Sequence, residues 1–274
     1  MRTSSMSDAA PTDELLVSQD GAIARIVLNR PHARNALTFA MYEGLVTQCL
    51  RIQEDVSVKA LVITGAGEKA FAAGTDIAQF RSFETAEDAL GYERFMDRVL
   101  GTLERMRVPT IAAIAGACTG GGAAIAAACD LRVATRDARF GFPIARTLGN
   151  CLSQGNLKRL SDLIGPARVK DIIFTARLVG AEEALTIGLV GEVVADAAAL
   201  AARATELATL VAGHAPLTMQ ATKEGLRRLA EEATAPEGEP QPGDDLILSC
   251  YMSRDFREGM EAFLGKRAPD WQGR

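Results

Sequence analysis

Residues 110–130 read TIAAIAGACTGGGAAIAAACD, and the way apolar runs give way to glycine in this stretch decides the fold class. Thr110 to Ala115 is an apolar run of strand length, broken at Gly116. Gly120, Gly121 and Gly122 follow, and Ala123 to Ala128 then reads as the start of a helix. A buried strand that stops at glycine lets the backbone approach a ligand closely and direct N–H groups outward. Glycines that also open a helix add its unpaired N–H groups and its dipole, which favour an anionic oxygen. An earlier stretch has the same form. The run Ala60 to Thr64 is followed by GAGEKAFAAGTDI at 65–77, with a second short strand over Phe71 to Ala73. Two converging donors of this kind are what an enolate or oxyanion needs. Either glycine cluster taken alone is equally well read as a turn.

The flanking sequence supplies the rest of an α/β chain. Leu15 to Asn29 has the alternation of a β-hairpin turned at Asp20-Gly21. Met41, Tyr42, Leu45, Val46, Cys49 and Leu50 recur at helical spacing behind Thr38, an N-cap residue. Tyr92, Phe95, Met96, Val99, Leu100, Leu103 and Met106 mark a second helix, which Pro109 ends. Leu131 to Ala134 returns to strand, so helices cross between strands. Beyond Pro166 helical patterns cover Ala167 to Phe174, Ala181 to Leu185 and about Asp196 to Gly213, with Val190 to Val194 a lone strand among them. From Pro216 to the end the pattern is helical, apart from the Pro-, Gly- and Glu-rich insert Ala233 to Gly243, which reads as a surface loop. These shifts divide the chain into a disordered leader (1–12), a core (13–205) and a helical region (206–274). The last is too short and too amphipathic to stand alone, so it should pack on the core or on another subunit.

Composition narrows the function. The 274 residues are 48% hydrophobic and 24% charged, as in ordinary globular proteins, and can bury a sizeable core. A formal charge of −5 argues against general nucleic-acid binding, and an anionic ligand would need a local basic patch. The five cysteines form no C-x-x-C pair, and with only His32 and His214 besides they do not make a structural zinc site. Reduced thiols in the cytoplasm are the simplest reading. The first dozen residues lack the apolar region of a secretory signal, and the glycines after Thr110 interrupt any membrane span.

In order along the chain, Asn29-Arg30-Pro31 with Asn35-Ala36-Leu37, Ala73-Gly74-Thr75-Asp76-Ile77, Gly120-Gly121-Gly122 with Cys129-Asp130, Phe140-Gly141-Phe142-Pro143, Gly188-Leu189-Val190, Glu258-Gly259 and Ala262-Phe263-Leu264-Gly265-Lys266-Arg267 with Pro269 closely resemble the crotonase, or enoyl-CoA hydratase/isomerase, superfamily. The resemblance covers nearly the whole chain. It implies a spiral of ββα units with a C-terminal helical region that trimerises, as a homotrimer or a dimer of trimers. The ligand it implies is an acyl-CoA thioester, with coenzyme A arriving as part of the substrate and no permanently bound cofactor or metal. It assigns the oxyanion-hole N–H groups to Thr75 and Gly121. Ala36, Ala73, Asp76 and Ile77 would line the adenine and pantetheine path, with Arg34 near the phosphates and Lys266 contributed by a neighbouring subunit. Surface charge is the competing reading for Arg34, Lys266 and Arg267.

The same resemblance shows where this chain departs. Hydration of an enoyl thioester asks for two carboxylates, one to activate water and one to deliver a proton. The positions the hydratases use are Ala124 and Ile144 here, and neither side chain transfers protons. Substitutes are sought in Tyr92, Glu93 and Asp97 on the second helix, although Glu93 and Asp97 share a face that reads as solvated. Others are Arg146, Asn150, Cys151 and Ser153, in a segment expected to pass over the acyl pocket. Cys118 and Cys151 read first as small apolar residues, and Asp130 as a structural feature. The expected function is thus an acyl-CoA enzyme with a non-standard acid/base arrangement. A catalytically degenerate acyl-CoA-binding homologue and a thioester hydrolase on the same scaffold are the alternatives.

Overall fold

The computed structural model describes residues 13–229 and 253–274. Strands β1 (Leu15–Asp20) and β2 (Ile23–Leu28) form the expected hairpin, and β3 (Ala60–Gly65), β5 (Thr110–Ile114), β7 (Leu131–Thr135) and β10 (Glu192–Val194) extend it into a six-stranded sheet of order β1-β2-β3-β5-β7-β10. Every pairing after the hairpin is parallel. A second sheet, of order β4-β6-β8-β9, is built from β4 (Ala70–Ala72), β6 (Ala117–Thr119), β8 (Arg139–Gly141) and β9 (Val179–Gly180). Only β4 of these four was visible in the sequence. The others are two or three residues long, too short to show a period.

The continuous apolar strands are explained by burial on both faces. Leu61, Ile63, Ala112 and Ile114 point into the main core, packed by α1 (Phe39–Glu54), α2 (Ala86–Glu104) and α3 (Gly121–Ala128). Their neighbours Ala60, Val62, Ile111 and Ala113 face the other way, onto Leu200, Ala204 and Ala208 of a later helix. Thr38 caps α1 by accepting the Met41 N–H. The buried stripe of α1 ends on Ile52, whereas Leu50 is exposed. Helix α2 starts at a capping box formed by Thr85 and Asp88 and stops at Glu104, five residues before Pro109. Met106 and Val108 continue the buried face without helical backbone.

Three short helices follow: α4 (Ile144–Thr147), α5 (Gln154–Ile164) and α6 (Pro166–Thr175). Next come α7 (Ala181–Thr186), α8 (Ala197–Ala212) and α9 (Pro216–Leu229), and α10 (Arg254–Leu264) closes the series. Helix α8 runs unbroken through residue 205 and supplies Leu200, Ala204 and Ala208 to the sheet, so the chain does not part there. The expectation of helix to the last residue fails after Leu264. Residues 265–274 fold back along α10 without helix, because Asp255 accepts the N–H groups of Gln272 and Gly273 (both 2.8 Å) and Glu258 pairs with Arg267. The expected leader, 1–12, and the insert Ala233 to Gly243 lie outside the described residues.

Asn35 pins the loop before α1 to the sheets. It is fully buried with φ +55°, accepts the Arg30 N–H (3.0 Å), and donates to the carbonyls of Ala66 (3.0 Å) and Ala70 (2.7 Å). Replacing it with alanine removes the partner of one buried carbonyl, that of Ala70, and of two partly buried groups, the Arg30 N–H and the Ala66 carbonyl. Asn35→Ala is expected to lower unfolding stability by about 1–3 kcal/mol, read as a shifted urea midpoint at unchanged slope.

Candidate active site

Both glycine clusters deliver backbone to one place. The segment 34–37 pairs with 73–76: Ala73 N–H donates to Arg34, Leu37 N–H to Gly74 and Asp76 N–H to Leu37. This bridge uses the N–H groups of Ala73 and Asp76 and does not use that of Thr75. Gly121 opens α3, so its N–H has no carbonyl one turn back. Neither Thr75 N–H nor Gly121 N–H has an acceptor among the described residues. Gly74 and Gly120 have φ of +109° and +51°, and a Cβ on Gly120 would lie 3.4 Å from the Gly74 Cα. The two turns therefore face each other at about one Cβ's reach, with no side chain between them.

A chain of hydroxyls backs this junction. Thr75 Oγ1 lies 2.8 Å from Tyr42 Oη and 3.2 Å from Tyr92 Oη. Burial pushes both phenols up in pKa, most strongly in Tyr42, so they stay protonated at neutral pH. Tyr92 is held by ring contacts with Phe39, Phe80 and Phe83.

The free N–H groups open onto a cleft of about 180 Å3. Ala73, Thr75, Gly121, Tyr92 and Glu93 line one side. Ala124, Phe142, Ile144 and the segment Thr147, Leu148, Asn150, Cys151 and Leu152 line the rest, so this segment does cover the pocket as expected. Ala124 and Ile144 are both buried in the wall, which is apolar at these two places.

The structure separates the candidate acid/base groups. Glu93 does not face solvent as its helical position suggested. The segment ending at Ser153 folds across α2 and leaves Glu93 half-buried in the cleft wall. Burial and then the charge of Asp97 push its carboxyl pKa up, while the Ser153 N–H opposes them. Asp97 is exposed and accepts a hydrogen bond from Ser153 Oγ (2.8 Å), outside the cleft lining. Arg146 and Ser153 are likewise off the lining, and Ser153 caps α5. Cys118 is buried and its thiol pKa is raised by desolvation, and Cys129 is pushed up to about 12 for the same reason. Asp130 holds the Thr110 N–H (2.7 Å), the Thr110 hydroxyl (2.9 Å) and Lys223 Nζ (2.6 Å), all away from the cleft. His32 and His214 are exposed and outside the lining.

Of the residues expected along the coenzyme path, Ala73 and Ile77 reach the cleft, whereas Arg34, Ala36, Asp76 and Lys266 do not line it. The Asp76 carboxylate is occupied locally, pairing with Arg30 (3.1 Å) and accepting the Ala78 N–H (3.1 Å). Arg34 and Lys266 are exposed with left-handed φ of +51° and +50°. Among the described residues no group of three or more His, Cys, Asp or Glu could hold a metal ion, and no helix is long and apolar enough to cross a membrane.

Two unpaired N–H groups beside one cleft are the kind of donor arrangement that an oxyanion requires. Residues 18–274 match the family model described as Enoyl-CoA hydratase/isomerase, and the chain belongs to that family. It is 36% identical over 259 residues to the short-chain-enoyl-CoA hydratase of Clostridium acetobutylicum, covering 93% of this chain and 96% of that one. It is 34% identical over 261 residues to the 2,3-dehydroadipyl-CoA hydratase of Escherichia coli (95% and 99% covered). The crystal structure of an enoyl-CoA hydratase/carnithine racemase from Magnetospirillum magneticum superposes with a TM-score of 0.87 at 32% identity, covering 96% and 97% of the two chains.

Gly121 has no room for a side chain, since a Cβ there would fall 1.9 Å from Tyr42 Oη and 3.0 Å from Thr75 Oγ1. Gly121→Ala is expected to lower stability by about 1–3 kcal/mol in urea unfolding. Adding Tyr42→Phe removes the clashing oxygen and leaves the Tyr42 Cζ position at 3.2 Å. The double variant should therefore recover part of the loss, a non-additivity that distinguishes this contact from a general intolerance.

Proposed function

We propose that this protein binds an acyl-CoA thioester with the thioester oxygen between the N–H groups of Thr75 and Gly121, and stabilises the enolate formed by proton loss next to that carbonyl. The observation that carries the reading is the pair of unpaired N–H groups on two closely facing turns, opening into a largely apolar cleft. The positive end of α3 adds to their field where negative charge develops. The curated relatives named as enoyl-CoA and crotonyl-CoA hydratases support the thioester as the ligand class.

Around this centre the pantetheine arm runs past Ala36, Ala73, Asp76 and Ile77, with Arg34 near the phosphates. Asp76 acts there through its backbone and its cap, since its carboxylate is paired. The core is the spiral of ββα units, supported by the way β3–β4–α2 and β5–β6–α3 each give one strand to either sheet before a helix. The C-terminal helices after residue 205 make a homotrimer, or a dimer of trimers, in which a neighbour's Lys266 joins the coenzyme site. The setting is the cytoplasm.

Hydration is not the reaction proposed. Ala124 and Ile144 occupy the cleft wall where a hydratase places its carboxylates, and neither exchanges a proton. The same two residues favour, as a second reading, a homologue that binds acyl-CoA without turning it over. A Ser-His-Asp hydrolase draws no support from the exposed positions of His32 and His214.

Titration with butyryl-CoA should give saturable binding by calorimetry. Crotonyl-CoA, followed by loss of enoyl-thioester absorbance, should turn over negligibly, because no pair of carboxylates lines the cleft among the described residues. Absence of thioester binding at high ligand concentration sinks the reading. Rapid crotonyl-CoA hydration refutes the role given to Ala124 and Ile144.

A further inference from the structure

Asn156 lines the cleft and is buried, with 5% of its surface exposed. Its amide has a single orientation. Arg159 Nη1 lies 2.8 Å from Oδ1, and a guanidinium only donates, so the atom it meets is the amide oxygen. Arg159 is itself held by Glu104 of α2 through two of its nitrogens. The other arm of the amide, Nδ2, donates to Ser153 Oγ (3.3 Å).

Ser153 Oγ has no capacity left. It gives its one proton to Asp97 (2.8 Å) and accepts from the Asn156 backbone N–H (3.2 Å) as well as from Nδ2. Nδ2 carries two protons, and the second has no acceptor among the described residues. Asn150 and Thr147, polar side chains from the same covering segment, are exposed, and solvent can serve them. The Asn156 donor is different because it is buried. Solvent satisfies it while the cleft is open, but an acyl chain that displaces the solvent strands it unless the chain brings an acceptor.

Position and charge narrow what that acceptor is. Tyr92 marks the oxyanion hole through Thr75, whereas Ser153 is fastened to Asp97, a rise of roughly 7 Å further along α2. Asn156 is therefore set toward the end of an acyl chain and away from its thioester. Among the described residues lining the cleft there is no lysine, arginine or histidine to neutralise a carboxylate, and Glu93 is there to repel one.

We propose that Asn156 is a specificity-determining residue, and that the site takes acyl thioesters whose chain carries an uncharged oxygen, a ketone or a hydroxyl, near its far end. The inference rests on the thioester reading above. Nδ2 donates to that oxygen, while Met96, Phe142, Leu148 and Leu152 pack the carbons between it and the thioester. A plain hydrocarbon chain fits this wall but leaves Nδ2 unpaired. A terminal carboxylate offers an acceptor but brings an uncompensated charge into the cleft.

Calorimetric titration of the full chain with hexanoyl-CoA, 5-oxohexanoyl-CoA, 6-hydroxyhexanoyl-CoA and adipyl-CoA tests this. Wild type should bind at least one of the two uncharged oxygenated thioesters about tenfold more tightly than hexanoyl-CoA, and adipyl-CoA more weakly than that one. Asn156→Asp keeps the size of the side chain and an acceptor for Arg159 but removes the donor. It should cut the preference over hexanoyl-CoA to about twofold or less, and Asn156→Ala should do the same. The preference is a ratio taken on one protein, so a general loss of affinity cancels from it, and Asn156→Asp carries the test by itself if the alanine variant does not fold. Wild type binding hexanoyl-CoA within about twofold of both oxygenated chains overturns the proposal. So does adipyl-CoA binding as tightly as the preferred chain, or Asn156→Asp keeping the wild-type preference. A wild type that binds none of the four thioesters fails the underlying reading, whereas binding without preference fails this inference alone.

Discussion

The site depends on two backbone turns facing each other closely without side chains between them. Gly74 and Gly120 each take a positive φ, and their closeness sets Thr75 beside Gly121 at the first turn of α3. A Cβ on Gly120 or Gly121 would meet backbone on one side and the Tyr42 hydroxyl on the other. The separation of the two free N–H groups is thus fixed by the packing of strands β4 and β6, which are parallel neighbours in the smaller sheet. Donors carried by a sheet need no reorganisation when charge develops, which is the condition under which such hydrogen bonds are worth most.

Everything around this junction serves to keep it in place. The buried Asn35 ties the loop before α1 to the carbonyls of Ala66 and Ala70, just ahead of β4. The backbone bridge then occupies the N–H groups of Ala73, Leu37 and Asp76 and leaves that of Thr75 without an acceptor among the described residues. Tyr42 and Tyr92 grip the Thr75 hydroxyl from α1 and α2. At the far end Asp130 locks the start of β5 to the end of α3 and reaches Lys223 on α9. None of these contacts involves the side chains of Ala124 or Ile144, so the frame does not depend on the residue types at those two positions.

Much of the frame was legible in the linear chain. The hairpin, β3, β5, the Thr38 cap and the helix after Gly120 follow from local chemistry: a turn dipeptide, apolar runs of strand length, a hydroxyl before an apolar stripe, glycines at a junction. The second sheet was hidden because its strands are two or three residues long and are defined by partners far away in sequence. The end of the chain misled for a related reason. The helical expectation ran past Gly265 and Pro269, which end a helix, and the carboxylates of Asp255 and Glu258 hold the last residues in another conformation.

Sequence alone determined that Thr75 and Gly121 follow strands that stop at glycine, and that Ala124 and Ile144 carry no exchangeable proton, because both facts belong to residue type and local backbone. It also placed Glu93 and Asp97 on one helical face, where a solvated role was the natural expectation. Only the tertiary structure could part them. Ser153, about sixty residues further along, uses its hydroxyl both to cap α5 and to donate to Asp97 on α2, with Asp97 outside and Glu93 in the cleft wall. Which of two equivalent carboxylates is buried is decided by what packs over them, and helical spacing holds no record of that.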